Sequence, residues 1–102
     1  MQSLRNPNRQ PKHPGAVLRE DVLPELGWTH VELATRLLVS RQTVSSLLHE
    51  RKPMTAEMAI RVSRAVGGSP KSWIRMQEAL DLWAVELKFK NNPGLAPKAL
   101  AA

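Results

Sequence analysis

A chain of 102 residues with 42% hydrophobic side chains supports one small domain around a single core. With no cysteine it has neither a disulfide framework nor a thiolate metal site. The formal net charge of +6 favours a polyanionic partner, and no apolar run approaches the roughly 20 residues that a bilayer span needs. No secretory h-region is recognisable near the start either, so the expected location is the cytoplasm.

Residues 1–12 are polar and proline-bearing, with Arg5, Arg9 and Lys12 and no acid. They read as a flexible basic arm, with contact to a DNA backbone or minor groove as the alternative. Pro14 can open a first helix, because the amide it lacks has no partner in a first turn. Val17, Leu18, Val22 and Leu26 give that helix an apolar face; Pro24 should end or bend it, and Gly27 suits its exit.

A second helix begins at Thr29. Thr29 and Glu32 have capping-box spacing, and Trp28 and Leu33 are placed for a hydrophobic staple. Its apolar face is either Val31, Ala34 and Leu38, or Leu33, Ala34 and Leu37. Val39 and Ser40 make a turn, and Ser40 can cap the next helix. There Val44, Leu47 and Leu48 recur at helical spacing and should pack inward. Arg41, Gln42, Thr43, Ser45 and Ser46 are left outside. Ala34 allows two helices to cross closely. Two short helices joined this way form a helix-turn-helix, whose second helix enters the DNA major groove.

Glu50 to Met54 form a basic loop with Arg51, Lys52 and Pro53. Thr55 caps a fourth helix running to about Val66, with Ala59, Val62 and Val66 inward, and Gly67 and Gly68 stop it. Ser69 and Pro70 start a fifth helix that runs to about Phe89 and carries Trp73, Met76, Gln77, Leu80, Trp83 and Leu87. Residues 90–102 have turn residues and no charge pattern, and read as a loose tail. The expected architecture is all-α, with five helices over residues 13–89.

Charge is unevenly spread. Arg36 to Arg75 contains eight basic residues against Glu50 and Glu57. The stretches 17–35 and 76–87 are acidic. A basic surface around the second helix of the motif suits phosphates and implies salt-dependent affinity; the plainer reading is a solvated, solubilising surface. His13, His30 and His49 are not spaced as a ligand cluster, so no metal site is expected. No Ser/His/Asp or Cys/His set and no phosphate-cradling glycine loop is present, so neither catalysis nor a cofactor is expected. The fifth helix carries more apolar area than a small monomer can bury. This favours a homodimer through Trp73, Met76, Leu80, Trp83 and Leu87, against the alternative that its tryptophans complete the core.

Three pieces carry a family resemblance: HPG at 13–15, LREDVLPELGWTHVELATRLLVSRQTVSSLL at 18–48, and TAEMAIRVSRAVGGSPKSWIRMQEALDL at 55–82. Together they resemble the HigA family of antitoxins, within the phage-repressor-type (Xre/Cro) helix-turn-helix proteins. The resemblance implies a lambda-repressor-like fold, binding to double-stranded operator DNA, repression of the protein's own operon, and neutralisation of an mRNA-cleaving toxin of the RelE type. Arg41, Gln42 and Ser46 match the base-reading positions of such recognition helices. Their chemistry agrees, since arginine can donate twice to guanine and glutamine can exchange two bonds with adenine. Thr29, His30, Thr43, Ser45 and His49 match backbone-contact positions, and Arg51 and Lys52 can add phosphate contacts.

In one place the chain departs from the pattern. Many repressors of this type carry glycine where Leu38 stands, so a different turn is expected here, with the helix ending later. Other functions stay open at this point. The chain could be a stand-alone repressor without a toxin, or a protein-interaction module that has kept the fold. Membrane-surface binding through the fifth helix is disfavoured, because anionic lipids would repel its acidic polar face.

Overall fold

Pro24 does not end the first helix. In the computed structural model, which describes residues 9–100, α1 (residues 14–26) runs through three contiguous pieces: Pro14–Val17, Leu18–Val22 and Leu23–Leu26. The middle piece is π-helical, with the Leu23 amide donating to the Leu18 carbonyl. In a regular α-turn the Pro24 ring would crowd the Glu20 carbonyl. The wider turn just before it takes up that misfit. The helix ends at Gly27, whose φ of 69° is a conformation glycine adopts freely.

Hydroxyl side chains open the next four helices. Thr29 accepts from the Glu32 amide at 3.1 Å and starts α2, His30–Leu37. Ser40 accepts from Thr43 at 3.0 Å and starts α3, Arg41–Leu48. Thr55 accepts from Met58 at 3.1 Å and starts α4, Ala56–Val66. Ser69 starts α5, Pro70–Asn91, in a reciprocal box with Ser72. Each cap satisfies an amide that the helix itself leaves free. At Thr29 the box is only half made. The Glu32 carboxylate turns instead to Arg36 at 3.3 Å, one helical turn ahead.

The core lies between α1, α2, α3 and α4 and is closed by the start of α5. Leu18, Leu33, Leu37, Val44, Leu48 and Val62 are fully buried in it. Of the two faces open to α2, the chain uses Leu33, Ala34 and Leu37; Val31 and Leu38 face solvent. Trp73 belongs to this core as well. It is 5% exposed, and its indole N–H donates to the Gly67 carbonyl at 3.0 Å. The start of α5 packs onto α4, so Trp73 is spent on the fold and is corrected out of the expected dimer face.

The boundaries shift at both ends. Pro11 is buried and Lys12 reaches α1, so these two residues of the expected arm pack with the domain; its residues 1–8 lie outside the described residues. At the other end α5 extends to Asn91, and a 3-10 turn, Pro93–Leu95, follows within the expected tail. Among the described residues no helix is long and apolar enough to cross a membrane.

Candidate nucleic-acid interface

The turn between α2 and α3 is tighter than expected. Helix α2 stops at Leu37, and Leu38 itself takes the left-handed conformation, φ 59° and ψ 42°, with its side chain 80% exposed. The expected later helix end is therefore corrected. The Leu38 and Val39 amides fold back onto the carbonyls of Thr35 and Ala34 at 3.3 and 3.1 Å. These bonds satisfy groups at the end of α2 and offset the steric cost of a left-handed leucine.

Burying Val44, Leu47 and Leu48 fixes which face of α3 looks outward. Arg41, Gln42 and Thr43 are exposed, while Ser45 and Ser46 are half-buried. Gln42, Thr43 and Ser46 form one wall of a groove, and Lys52, Pro53 and Thr55 form the other. Arg41 projects from the first turn beside this groove. The basic loop is tied to α3 through Ser46, whose carbonyl accepts from the Arg51 and Lys52 amides at 2.8 and 3.3 Å. This holds the loop backbone against α3, with Lys52 lining the groove.

Thr29, His30 and His49 gather at a second point. The rings of His30, at the start of α2, and His49, at the end of α3, lie 6.4 Å apart, edge to face. His49 is held by α3, with Nδ1 2.9 Å from the Ser45 carbonyl and 3.3 Å from the Ser45 hydroxyl. A carbonyl cannot donate, so Nδ1 carries the hydrogen in this bond. Two of the expected hydroxyls are partly used, since Thr29 Oγ1 caps α2 and Thr43 Oγ1 shares a 2.9 Å bond with Ser40. The structure thus places Gln42, Thr43, Ser46 and Lys52 along one groove and sets His30 beside His49 at the end of α3.

Four supporting residues were not among the expected contact residues. His13 caps α1, its Nδ1 accepting from the Gly15 amide at 2.8 Å. Gly15 then packs directly on the backbone of α3, where a Cβ would fall 1.9 Å from the Leu47 carbonyl oxygen. The Arg19 guanidinium donates to the Leu48 carbonyl and lies 3.3 Å from the Glu50 carboxylate, linking α1 to the end of α3. From α5, the buried Gln77 accepts the Met54 amide at 2.8 Å and closes the basic loop. The HPG stretch at 13–15 was the one visible hint.

Two of the acids of α1, Glu20 and Asp21, are neutralised locally. Lys12 lies 2.9 Å from Glu20 and 3.2 Å from Asp21, and Arg19 lies 2.6 Å from Glu20. Bonds from Lys12, and next from Arg19, hold the Glu20 carboxyl below the usual carboxylate value. In return Glu20 and then Asp21 raise Lys12, and Glu20 raises Arg19. At the far end of α5, Leu80 and Trp83 are half-buried and Leu87 is exposed. Leu82 and Val85, absent from the expected set, are 64% and 48% exposed on the opposite side of the same helix.

Comparison with known proteins places these features in context. A helix-turn-helix family model matches residues 18–73. Virulence-associated protein I of Dichelobacter nodosus is 39% identical over 74 residues, covering 72% of this chain and 68% of that protein. An uncharacterised HTH-type transcriptional regulator of Escherichia coli K12 is 35% identical, covering 90% and 81%. Antitoxin HigA-1 of Vibrio cholerae is 33% identical, covering 85% and 82%. Among solved structures, the antitoxin GraA in complex with its operator superposes with a TM-score of 0.80 at 34% identity, covering 98% and 100%. Pseudomonas aeruginosa antitoxin HigA with its promoter gives 0.81 at 29% identity, covering 90% and 100%.

Proposed function

The chain belongs to the helix-turn-helix family, among the HigA-type antitoxins, and from that membership we propose that it is an operator-binding antitoxin and autorepressor. In this reading α3 lies in the major groove, with Arg41, Gln42 and Ser46 at base edges. Thr29, His30, Thr43, Ser45, His49, Arg51 and Lys52 contact the sugar-phosphate backbone. The observation that carries it is the two-sided build of α3, buried through Val44, Leu47 and Leu48 and open through Arg41 and Gln42, with Lys52 across the groove. Two copies would join through the far half of α5, over Leu80, Trp83 and Leu87 with Met76 at its margin. They would read half-sites about 34 Å apart on one face of the duplex.

The second activity is neutralisation of an mRNA-cleaving toxin of the RelE type, in the cytoplasm. Of the two acidic stretches that could receive a basic toxin, 17–35 has Glu20 and Asp21 engaged by Lys12 and Arg19 and Glu32 by Arg36, with only Glu25 outside any ion pair among the described residues. Glu78 and Glu86 enter no ion pair among the described residues, which favours the α5 stretch.

Two measurements test the proposal. Fluorescence anisotropy should show tighter binding to the DNA immediately upstream of the gene than to a shuffled duplex of equal length. Co-expression should reverse the growth arrest caused by the neighbouring gene's product. Operator preference without any such rescue would replace the antitoxin reading with a stand-alone repressor, which the likeness to an HTH-type regulator of Escherichia coli K12 also supports.

A further inference from the structure

The last carbonyls of α2 have no partner within that helix. Arg61, on α4, supplies one. Its Nη1 donates to the Leu37 carbonyl at 2.9 Å and lies 3.5 Å from the Leu38 carbonyl. The other side of the same guanidinium is fixed. Nε and Nη2 meet one carboxylate oxygen of Glu57, one helical turn earlier, at 3.1 and 3.0 Å. The separate nitrogens of one planar fork serve the two partners on its two sides, a spread that the single nitrogen of a lysine lacks, so a lysine paired with Glu57 would leave the Leu37 carbonyl. The anchored end of this strut is α4, and its working end is the left-handed Leu38.

We infer that Arg61 is a positioning residue for sequence readout: it holds the Leu37–Leu38 turn and so sets the angle at which α3 presents Arg41 and Gln42. The inference rests on the operator-reading role proposed for α3. Ser40 caps α3 only two residues beyond Leu38. A change of backbone dihedral at Leu38 therefore pivots the whole of α3 against α2, and the exposed start of α3 moves with it. The leucine makes the strut necessary, because glycine would hold the same conformation without a Cβ penalty. The contact crosses 24 residues of sequence, beyond the reach of helical spacing.

A mutant cycle between positions 61 and 38 tests this. Arg61→Ala should lower the preference for operator over shuffled duplex by about tenfold, which corresponds to loss of roughly one left-handed-leucine penalty. It should also speed amide hydrogen exchange at Leu38 and Val39. Arg61→Lys should behave like the alanine variant in both readouts, although it keeps the charge. Adding Leu38→Gly to Arg61→Ala should restore both. If exchange recovers in the double variant while operator preference does not, Arg61 touches phosphate directly and the positioning role is wrong. Unchanged exchange in Arg61→Ala sinks the strut itself. A wild-type protein with no operator preference would instead overturn the proposed function and the readout role with it, and the exchange cycle would still decide whether the strut holds the turn.

Discussion

The Gln77 carboxamide joins α5 to the basic loop: its oxygen accepts the Met54 amide at 2.8 Å, and its nitrogen donates to Asp81 at 2.9 Å. Both ends of a buried amide are satisfied, so neither half can be removed without exposing the other. Gln77→Ala strands the Met54 amide and should cost about 2 kcal/mol, read as a lower urea midpoint. Hydrogen exchange at Met54 should rise together with it. Normal protection there would show that the loop is held some other way.

Gly15→Ala should be among the most damaging single-methyl additions available. The new Cβ meets the Leu47 carbonyl oxygen at 1.9 Å and the Leu47 carbonyl carbon at 2.8 Å, both backbone atoms that cannot swing aside. Either α1 lifts from α3 or α3 shifts, at a cost of about 2 kcal/mol or more. Thermal unfolding checks the loss. A variant as stable as wild type would mean that the crossing of α1 and α3 is looser than the structure has it.

Arg41→Ala and Gln42→Ala address base readout. Each should cost about 1–3 kcal/mol of operator affinity, with fold and stability unchanged because both side chains are exposed. Binding to random duplex should fall little for Gln42→Ala. For Arg41→Ala it should fall only by what one charge contributes, visible as a shallower salt dependence. Retained specificity in both variants would move readout away from the start of α3.

Leu87→Glu places a charge on the face of α5 that also carries Leu80 and Trp83, where Leu87 is exposed. If that face joins two copies, the variant should sediment as a monomer at concentrations where wild type is a dimer. The helix itself should persist, because Leu87 is not part of the monomer's core. Unaltered dimers would place the interface elsewhere.

Glu20 gives a pH signature. Lys12 and Arg19 lower its carboxyl below the ordinary 4.5. A group lowered in the folded state contributes stability above its unfolded value, and that contribution is lost as pH falls through the lowered one. Melting temperature should therefore drop between about pH 5 and pH 2 more steeply for wild type than for Glu20→Gln. Parallel curves would show that the Lys12 clasp adds nothing in solution.

Local chemistry was legible in the sequence. Ser40, Thr55 and Ser69 cap where their spacing before apolar runs says they should, and Gly27 closes α1 as a left-handed glycine. The outward residues of α3 followed from the period of Val44, Leu47 and Leu48. Contacts between distant segments left no such trace. Arg19, Arg61 and Gln77 read as ordinary helix-surface residues until the fold brings Leu48, Leu37 and Met54 to them. Trp73 and Trp83 lie on one helix with similar surroundings in sequence, and only the packing of α4 against the start of α5 separates the buried one from the half-buried one. The leucine at position 38 misled for a related reason. Its intrinsic dislike of the left-handed region is outweighed by backbone bonds and by Arg61, neither of which can be read locally.

Tyrosine is absent and three tryptophans are present, so the protein's ultraviolet emission is an indole signal from three distinct surroundings. Trp73 is sealed in the core, Trp28 lies under the Arg36 guanidinium at 4.4 Å next to the start of α2, and Trp83 sits on the far half of α5. Single-tryptophan versions would turn these into separate optical gauges: one for unfolding, one for events at the α2 end, and one for self-association. Each could be followed in real time without attaching a dye.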